Sequence, residues 1–154
     1  DIAINNLLQY RLDEGAKLEE DVSSRVNKIN MLLNQIPPFA EERIINIKRS
    51  LSEKLAEIDN KNIDENRLEQ ELIYYLEKQD ITEEQVRLKT HLDYFLEVIV
   101  ADFPNGKKLG FIAQEIGREI NTIGSKSSNA DMQKIVVQMK DELEKIKEQL
   151  LNIL

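Results

Sequence analysis

Cysteine and tryptophan are absent from the 154 residues, and only three Pro, five Gly and 5% aromatics are present. The lack of cysteine excludes a disulfide framework, a thiolate zinc site and a cysteine nucleophile, and makes a reducing compartment, the cytoplasm, the default expectation. Few aromatics and few turn-forming residues argue against a sheet protein and for an all-α fold. No window approaches the roughly 18 consecutive apolar residues of a membrane-spanning helix, and the first residues lack the features of a secretion signal. No membrane partner is expected. The chain opens on Asp1 rather than Met, inside a helical pattern, so it reads as a piece of a longer protein.

What is present is charge and helical periodicity. Charged residues make up 32% of the chain and hydrophobic ones 41%, with a net charge of −8. An acidic total disfavours a simple polyanion-binding surface, because phosphate affinity depends on Lys and Arg. The distribution is uneven: 13 basic residues face 22 acidic ones over 1–103, four face two over 104–126, and four face five over 127–154. Residues 104–126 therefore form the only net-positive segment.

The spacing of apolar residues predicts about six helices in antiparallel hairpin or bundle packing, the first and last being long. The first runs from Ile2 to Gln35 on a stripe of Leu18, Val22, Val26, Ile29, Leu33 and Ile36, with Gly15 marking a kink or a close backbone approach. Pro37 and Pro38 are expected to end it, and a second helix carries Phe39, Ile44 or Ile45, Ile47, Leu51 and Leu55 to Ile58 before a polar turn, DNKNID. Asp64 caps a third helix to Leu76, and Thr82 with Gln85 forms a capping-box pattern opening a fourth. A turn at Phe103–Gly106 leads to a fifth helix from Lys107 that weakens at GSKSSN. The last, from Ala130, has Met132, Ile135, Met139, Leu143, Ile146, Leu150 and Ile153 in a coiled-coil rhythm that wants a partner, expected to be helix four or five.

Candidate chemistry is sparse. The glycines assemble no phosphate-cradling loop, and nothing locates a nucleophile elbow. His91, the single histidine, is either a hydrogen-bonded residue at the edge of the apolar series Val86, Leu88, Leu92, Phe95 and Ile99, or a proton shuttle or metal ligand. Glu115 and Glu119 lie four apart beside Arg118, and Glu83 and Glu84 open a helix close behind Asp80. These carboxylates read either as solvated surface and helix-dipole partners or as ligands for Mg²⁺ or Mn²⁺. Arg118, Asn121, Thr122, Ser125 and Lys126 are phosphate- or sugar-contacting types in a helix that most of them do little to stabilise.

The stretch QEIGREINTIGSK at 114–126, followed by NADMQKIVVQMKDELEKIKEQLLNI, closely resembles the C-terminal helical domain of the YicC/YloC family of bacterial endoribonucleases. DITEEQVRLKTHLDYF at 80–95 and RLDEGAKLEED at 11–21 agree as well, with Glu14 and Gly15 carrying the latter element. Residues 37–79 match only in character. Nothing here resembles the family's mostly β N-terminal domain, and Lys78 stands where the family usually has Arg. Residues 1–60 are expected to form a long helical hairpin or arm and 61–154 a YicC-like C-terminal helical domain, the two making one continuous domain or fragment.

The resemblance implies divalent-metal-dependent cleavage of RNA by a homo-oligomer, generally a hexamer, in the bacterial cytoplasm. Catalytic roles would fall on His91, Glu115, Glu119 and Arg118, RNA contacts on Arg87, Asn121, Thr122, Ser125 and Lys126, and Mn²⁺ or Mg²⁺ on Asp80, Glu84, Glu115 and Glu119. His91 acting as base on the ribose 2′-hydroxyl is a competing mechanism. The alternative from another class is a non-catalytic helical interaction or oligomerisation module, favoured by the acidic charge and the last helix's seam.

Overall fold

The computed structural model describes residues 1–58, 65–101, 106–127 and 129–152. Among the described residues six helices follow one another: α1 (Ile2–Asn34), α2 (Ile36–Ile58), α3 (Glu65–Gln79), α4 (Thr82–Ala101), α5 (Gly106–Lys126) and α6 (Ala130–Leu151). The described residues contain no strand. The DNKNID turn, Asp64, Phe103, Pro104, Asn105, Ser128 and Ile153 of the expected pattern, together with the side chains of Leu55 and Ile58, lie outside the described residues.

Helices α1, α4, α5 and α6 close into a four-helix bundle in which α4 packs on α5, α5 on α6, α6 on α1 and α1 on α4. Contacting residues give the directions. Glu84 meets Lys126 and Arg87 meets Glu119, so α4 and α5 are antiparallel. Gly117 lies against Leu143 and Gly124 against Val136, so α5 and α6 are too. The α1 residue Arg25 reaches Glu142, and Lys28, Met31 and Gln35 share a shallow cavity with Gln138, Asp141 and Glu142, so α1 runs opposite to α6. The end of α1, the starts of α4 and α6 and the end of α5 therefore lie at one end of the bundle, and α2 packs there against α6 and α1.

The apolar stripes read from the sequence form the core. Val22, Val26, Ile29, Leu33 and Ile36 are buried with Leu109, Ile112, Ile116, Ile120 and Ile123 of α5, and with every described seam residue of α6. The partners of α6 are α5, as expected, and α1, which was not. On α4, Leu88, Leu92, Phe95 and Ile99 point inward, whereas Val86 is exposed.

Four local features depart from expectation. α1 ends at Asn34, as expected, but α2 starts at Ile36 rather than after Pro38: only Gln35 intervenes, and Pro37 and Pro38 sit in the first turn of α2, where a missing N–H costs nothing. Thr82 is already the first helical residue rather than the cap: the Ile81 carbonyl takes the first helical bond, from Gln85, and Asp80 just before it accepts on Oδ1 from the Thr82 N–H at 2.9 Å and the Thr82 hydroxyl at 2.6 Å. Gly124 and Ser125 remain helical because the carbonyls that a weakened end would leave unpaired find donors, Gln133 Nε2 bonding the Gly124 carbonyl at 2.7 Å. Finally, α2 turns Arg43 inward and leaves Ile44 and Ile45 exposed. Gly15 is an ordinary helical residue with open space around its Cβ position, and the residues of α1 before it are exposed.

Candidate functional site: a charge ladder at one end of the bundle

The buried polar or charged side chains among the described residues are Arg43, Glu84, Glu119 and Ser127, and all belong to the same end of the bundle. Glu84 and Glu119 are 4% and 5% exposed. A carboxylate taken out of water needs compensating charge or hydrogen bonds, and α4 and α5 supply them to each other. Lys126 Nζ donates to Glu84 Oε1 at 2.8 Å and to the Asp80 carbonyl at 3.2 Å. Arg87 Nε donates to Glu119 Oε1 at 3.0 Å, its Nη1 lies 3.1 Å from Glu83 and its Nη2 lies 3.5 Å from Glu84. Glu119, Arg87, Glu84 and Lys126 thus form a continuous ladder of alternating charge.

These contacts set the carboxyl acidities. Burial alone would push Glu84 up, but the hydrogen bond from Lys126 and the charges of Lys126 and Arg87 outweigh it and hold the group below the ordinary glutamate value. The hydroxyl and N–H of Thr82 hold Asp80 below the ordinary aspartate value. The bonds to Glu119 and Glu83 raise Arg87, so it stays charged. One oxygen, Glu84 Oε2, is buried without a hydrogen-bond partner.

The remaining candidates occupy defined positions around this ladder. His91 is half-buried, one turn along α4 from Arg87, and Glu115 is one turn back along α5 from Glu119. Because the helices are antiparallel, both are displaced in the same direction, and His91 lies about 10 Å along the axis from Glu84. Glu115 pairs with Arg118 at 3.8 Å rather than with the ladder, and Arg118 is largely exposed. Thr122 and Ser125 donate their hydroxyls to the carbonyls of Arg118 and Thr122, which keeps them on the α5 surface with Asn121. Lys78 points elsewhere, its Nζ 4.5 Å over the Tyr74 ring.

Among the described residues no group of three acidic or histidine side chains converges at metal-ligand spacing. What the geometry brings together is a pair, Glu84 and Glu119, on one guanidinium. Of the four carboxylates expected to hold a metal, Asp80, Glu84, Glu115 and Glu119, these two share a partner, and that partner is a cation. Magnesium can be held by one or two carboxylates plus water and substrate phosphate.

Sequence reasoning missed Arg43. It donates from Nη1 to the Lys126 carbonyl at 3.0 Å and from Nη2 to the Gln79 carbonyl. The available signal was an Arg standing on the inward stripe of α2, three residues beyond Ala40 and four before Ile47. A cavity of about 350 Å³ opens beside it, bounded by Ile44, Leu76, Gln79, Thr82 and Gln85.

A four-helix bundle with its polar burial gathered at one end, as paired carboxylates and cations across two helices, is a scaffold that carries a charged site on rigid elements. Residues 36–154 match the family described as endoribonuclease YicC-like, C-terminal, and the chain belongs to that family. It is 40% identical over 153 residues to the probable endoribonuclease YicC of Clostridioides difficile strain 630, covering 98% of this chain and 52% of that protein. It is 30% identical over 150 residues to the probable endoribonuclease YicC of Haemophilus influenzae, covering 97% and 47%. The chain spans about half the length of the curated relatives it matches.

Proposed function

We propose that this chain forms the catalytic end of a YicC-type endoribonuclease that cleaves RNA phosphodiester bonds with the help of Mn²⁺ or Mg²⁺. The observation that carries the reading is the burial of Glu84 and Glu119 on one guanidinium, with Glu84 Oε2 left as a free acceptor. A purely structural bundle end has no need to bury two carboxylates, since desolvating them costs several kcal/mol, by rough estimate, before their partners compensate.

In this reading Glu84 and Glu119 would hold the divalent ion, with Asp80 and Glu115 as the further candidates. When bound, the ion neutralises phosphate charge and acidifies water. Lys126 and Arg87 each have a carboxylate partner now, and an incoming phosphate would share those cations. Arg118, Asn121, Thr122 and Ser125 present hydroxyl, amide and guanidinium groups along the exposed side of α5 for the sugar–phosphate backbone. His91, one turn from Arg87 with its ring nitrogens unpaired among the described residues, moves a proton. The reading includes self-association in the bacterial cytoplasm. The exposed apolar side chains Ile4, Leu7 and Leu8 of α1 support an assembly contact, and no described helix is long and apolar enough to cross a membrane.

The test is cleavage of an end-labelled structured RNA, with Mn²⁺, with Mg²⁺ and with excess EDTA, by this chain and by a full-length relative carrying the matching substitutions. Glu84→Gln and Glu119→Gln should each reduce the rate by about 100-fold or more, and His91→Ala by a similar factor. Cleavage that persists in EDTA would overturn the metal-dependent mechanism in favour of 2′-hydroxyl attack. Full activity in a well-folded variant with Glu84, His91, Glu115 and Glu119 all changed to Ala would leave the helical interaction module as the better reading.

A further inference from the structure

Among the described residues Arg43 is the one buried charge that the ladder does not explain. It sits on α2, outside the four-helix bundle, and is 4% exposed. Among the described residues no carboxylate lies within ion-pair distance of it. Its bonds go instead to two backbone carbonyls, those of Gln79 and Lys126, which are the last residues of α3 and α5. Carbonyls in a last turn lack helical partners and carry the negative end of the helix dipole, so one guanidinium satisfies two helix ends at once. Its Nε is left buried and unpaired. Burial pulls the guanidinium's pKa below its ordinary value, with the charge of Asp80 opposing.

For packing alone this is a poor choice, because an apolar side chain of similar length avoids the desolvation cost. What an apolar residue does not do is fix the relative positions of two helix ends. Gln79 immediately precedes Asp80, and Lys126 supplies the ammonium that reaches both the Asp80 carbonyl and Glu84. The backbone of Lys126 is held by Arg43 while its side chain holds the start of α4. The loop of contacts runs Arg43, Gln79, Asp80, Lys126 and back to Arg43.

We propose that Arg43 is a positioning residue that clamps the end of α5 to the α3–α4 junction and thereby aims the Lys126 ammonium at Glu84, making α2 a working part of the site. The proposal rests on the reading that Lys126 and Glu84 serve RNA cleavage, and its test separates the two. Arg43→Met removes the charge and both donors while keeping length, and Arg43→Lys keeps the charge but not the two-carbonyl fork.

Crystal structures of both variants give the direct readout. In Arg43→Met, Lys126 Nζ should leave Glu84 Oε1 while the bundle core stays in place. A Lys126–Glu84 contact unchanged in Arg43→Met overturns the proposal, whatever RNA does. Should Arg43→Met fail to fold, the same criterion applies to Arg43→Lys, where the contact should lengthen.

Affinity for a fluorescein-labelled RNA hairpin gives the functional readout. Arg43→Met should weaken binding by about tenfold, and adding Lys126→Ala should cost little more, because both act through one ammonium. Losses that multiply independently overturn the positioning role. If Lys126→Ala alone leaves RNA binding and cleavage unchanged, the reading of the site fails, and the crystallographic distance still decides the clamp.

Discussion

Arg87 Nε on α4 lies 3.0 Å from Glu119 Oε1 on α5, joining positions 32 residues apart across an antiparallel helix pair. Glu119 is buried and Arg87 is half-exposed, so the pair is asymmetric. Removing the cation strands a carboxylate out of water, whereas removing the carboxylate leaves a guanidinium that still reaches solvent, Glu83 and Glu84. Arg87→Ala should therefore lower the melting temperature more than Glu119→Gln does, and the double variant should recover part of the loss. Thermal denaturation of the three variants at neutral pH checks this. Equal loss in both single variants would mean that Glu119 is not held by Arg87.

The acid limb of stability follows from Asp80 and Glu84, whose ordinary values are 3.8 and 4.5 and which are both held lower in the fold. A carboxyl that is more acidic when folded than when unfolded binds fewer protons in the native state, so it stabilises the fold above its unfolded value. That contribution is lost as the pH falls towards and through the folded value. Stability should decline from about pH 5 downward, and Glu84→Gln and Asp80→Asn should each flatten that decline. Urea midpoints measured across this window, in wild type and variants, give the comparison.

Two glycines should respond oppositely to alanine. A Cβ at Gly15 meets nothing within 4 Å, so Gly15→Ala gains helix propensity of up to about 1 kcal/mol. A Cβ at Gly124 would stand 3.0 Å from Val136 Cγ1. Val136 is buried and β-branched, with its χ1 strongly restricted in a helix, so it has little room to give. Gly124→Ala should lose stability, by about 1–3 kcal/mol if the core resists overpacking. Denaturant midpoints of the two variants are the measurement, and a stabilising Gly124→Ala would show that α5 and α6 have room to separate.

The residues themselves made the helices legible. Val22, Val26, Ile29 and Leu33, or Leu109, Ile112, Ile116 and Ile120, recur at three and four because one helix face must leave water, and that rule acts within a single helix. Family membership was legible for a similar reason, since QEIGREINTIGSK and DITEEQVRLKTH are contiguous strings. Of the candidate site, Glu84, Arg87, Glu119 and Lys126 were legible as residues but not as a ladder.

Tertiary structure alone decided the pairing. Nothing in the spacing of α6 says that α1 packs on it beside α5, because the same apolar seam accepts any helix of matching face. Nothing in the spacing of α4 says that Glu84 is buried while Glu83, its neighbour, is solvated; that depends on which side α5 approaches. Arg43 is the clearest case. On α2 it is a charged residue on a weak stripe, and only the arrival of two helix ends, 36 and 83 residues further along the chain, turns it inward. Local periodicity determined what each segment is. The burial of charge, whose cost depends on partners brought from other segments, was decided by how those segments pack.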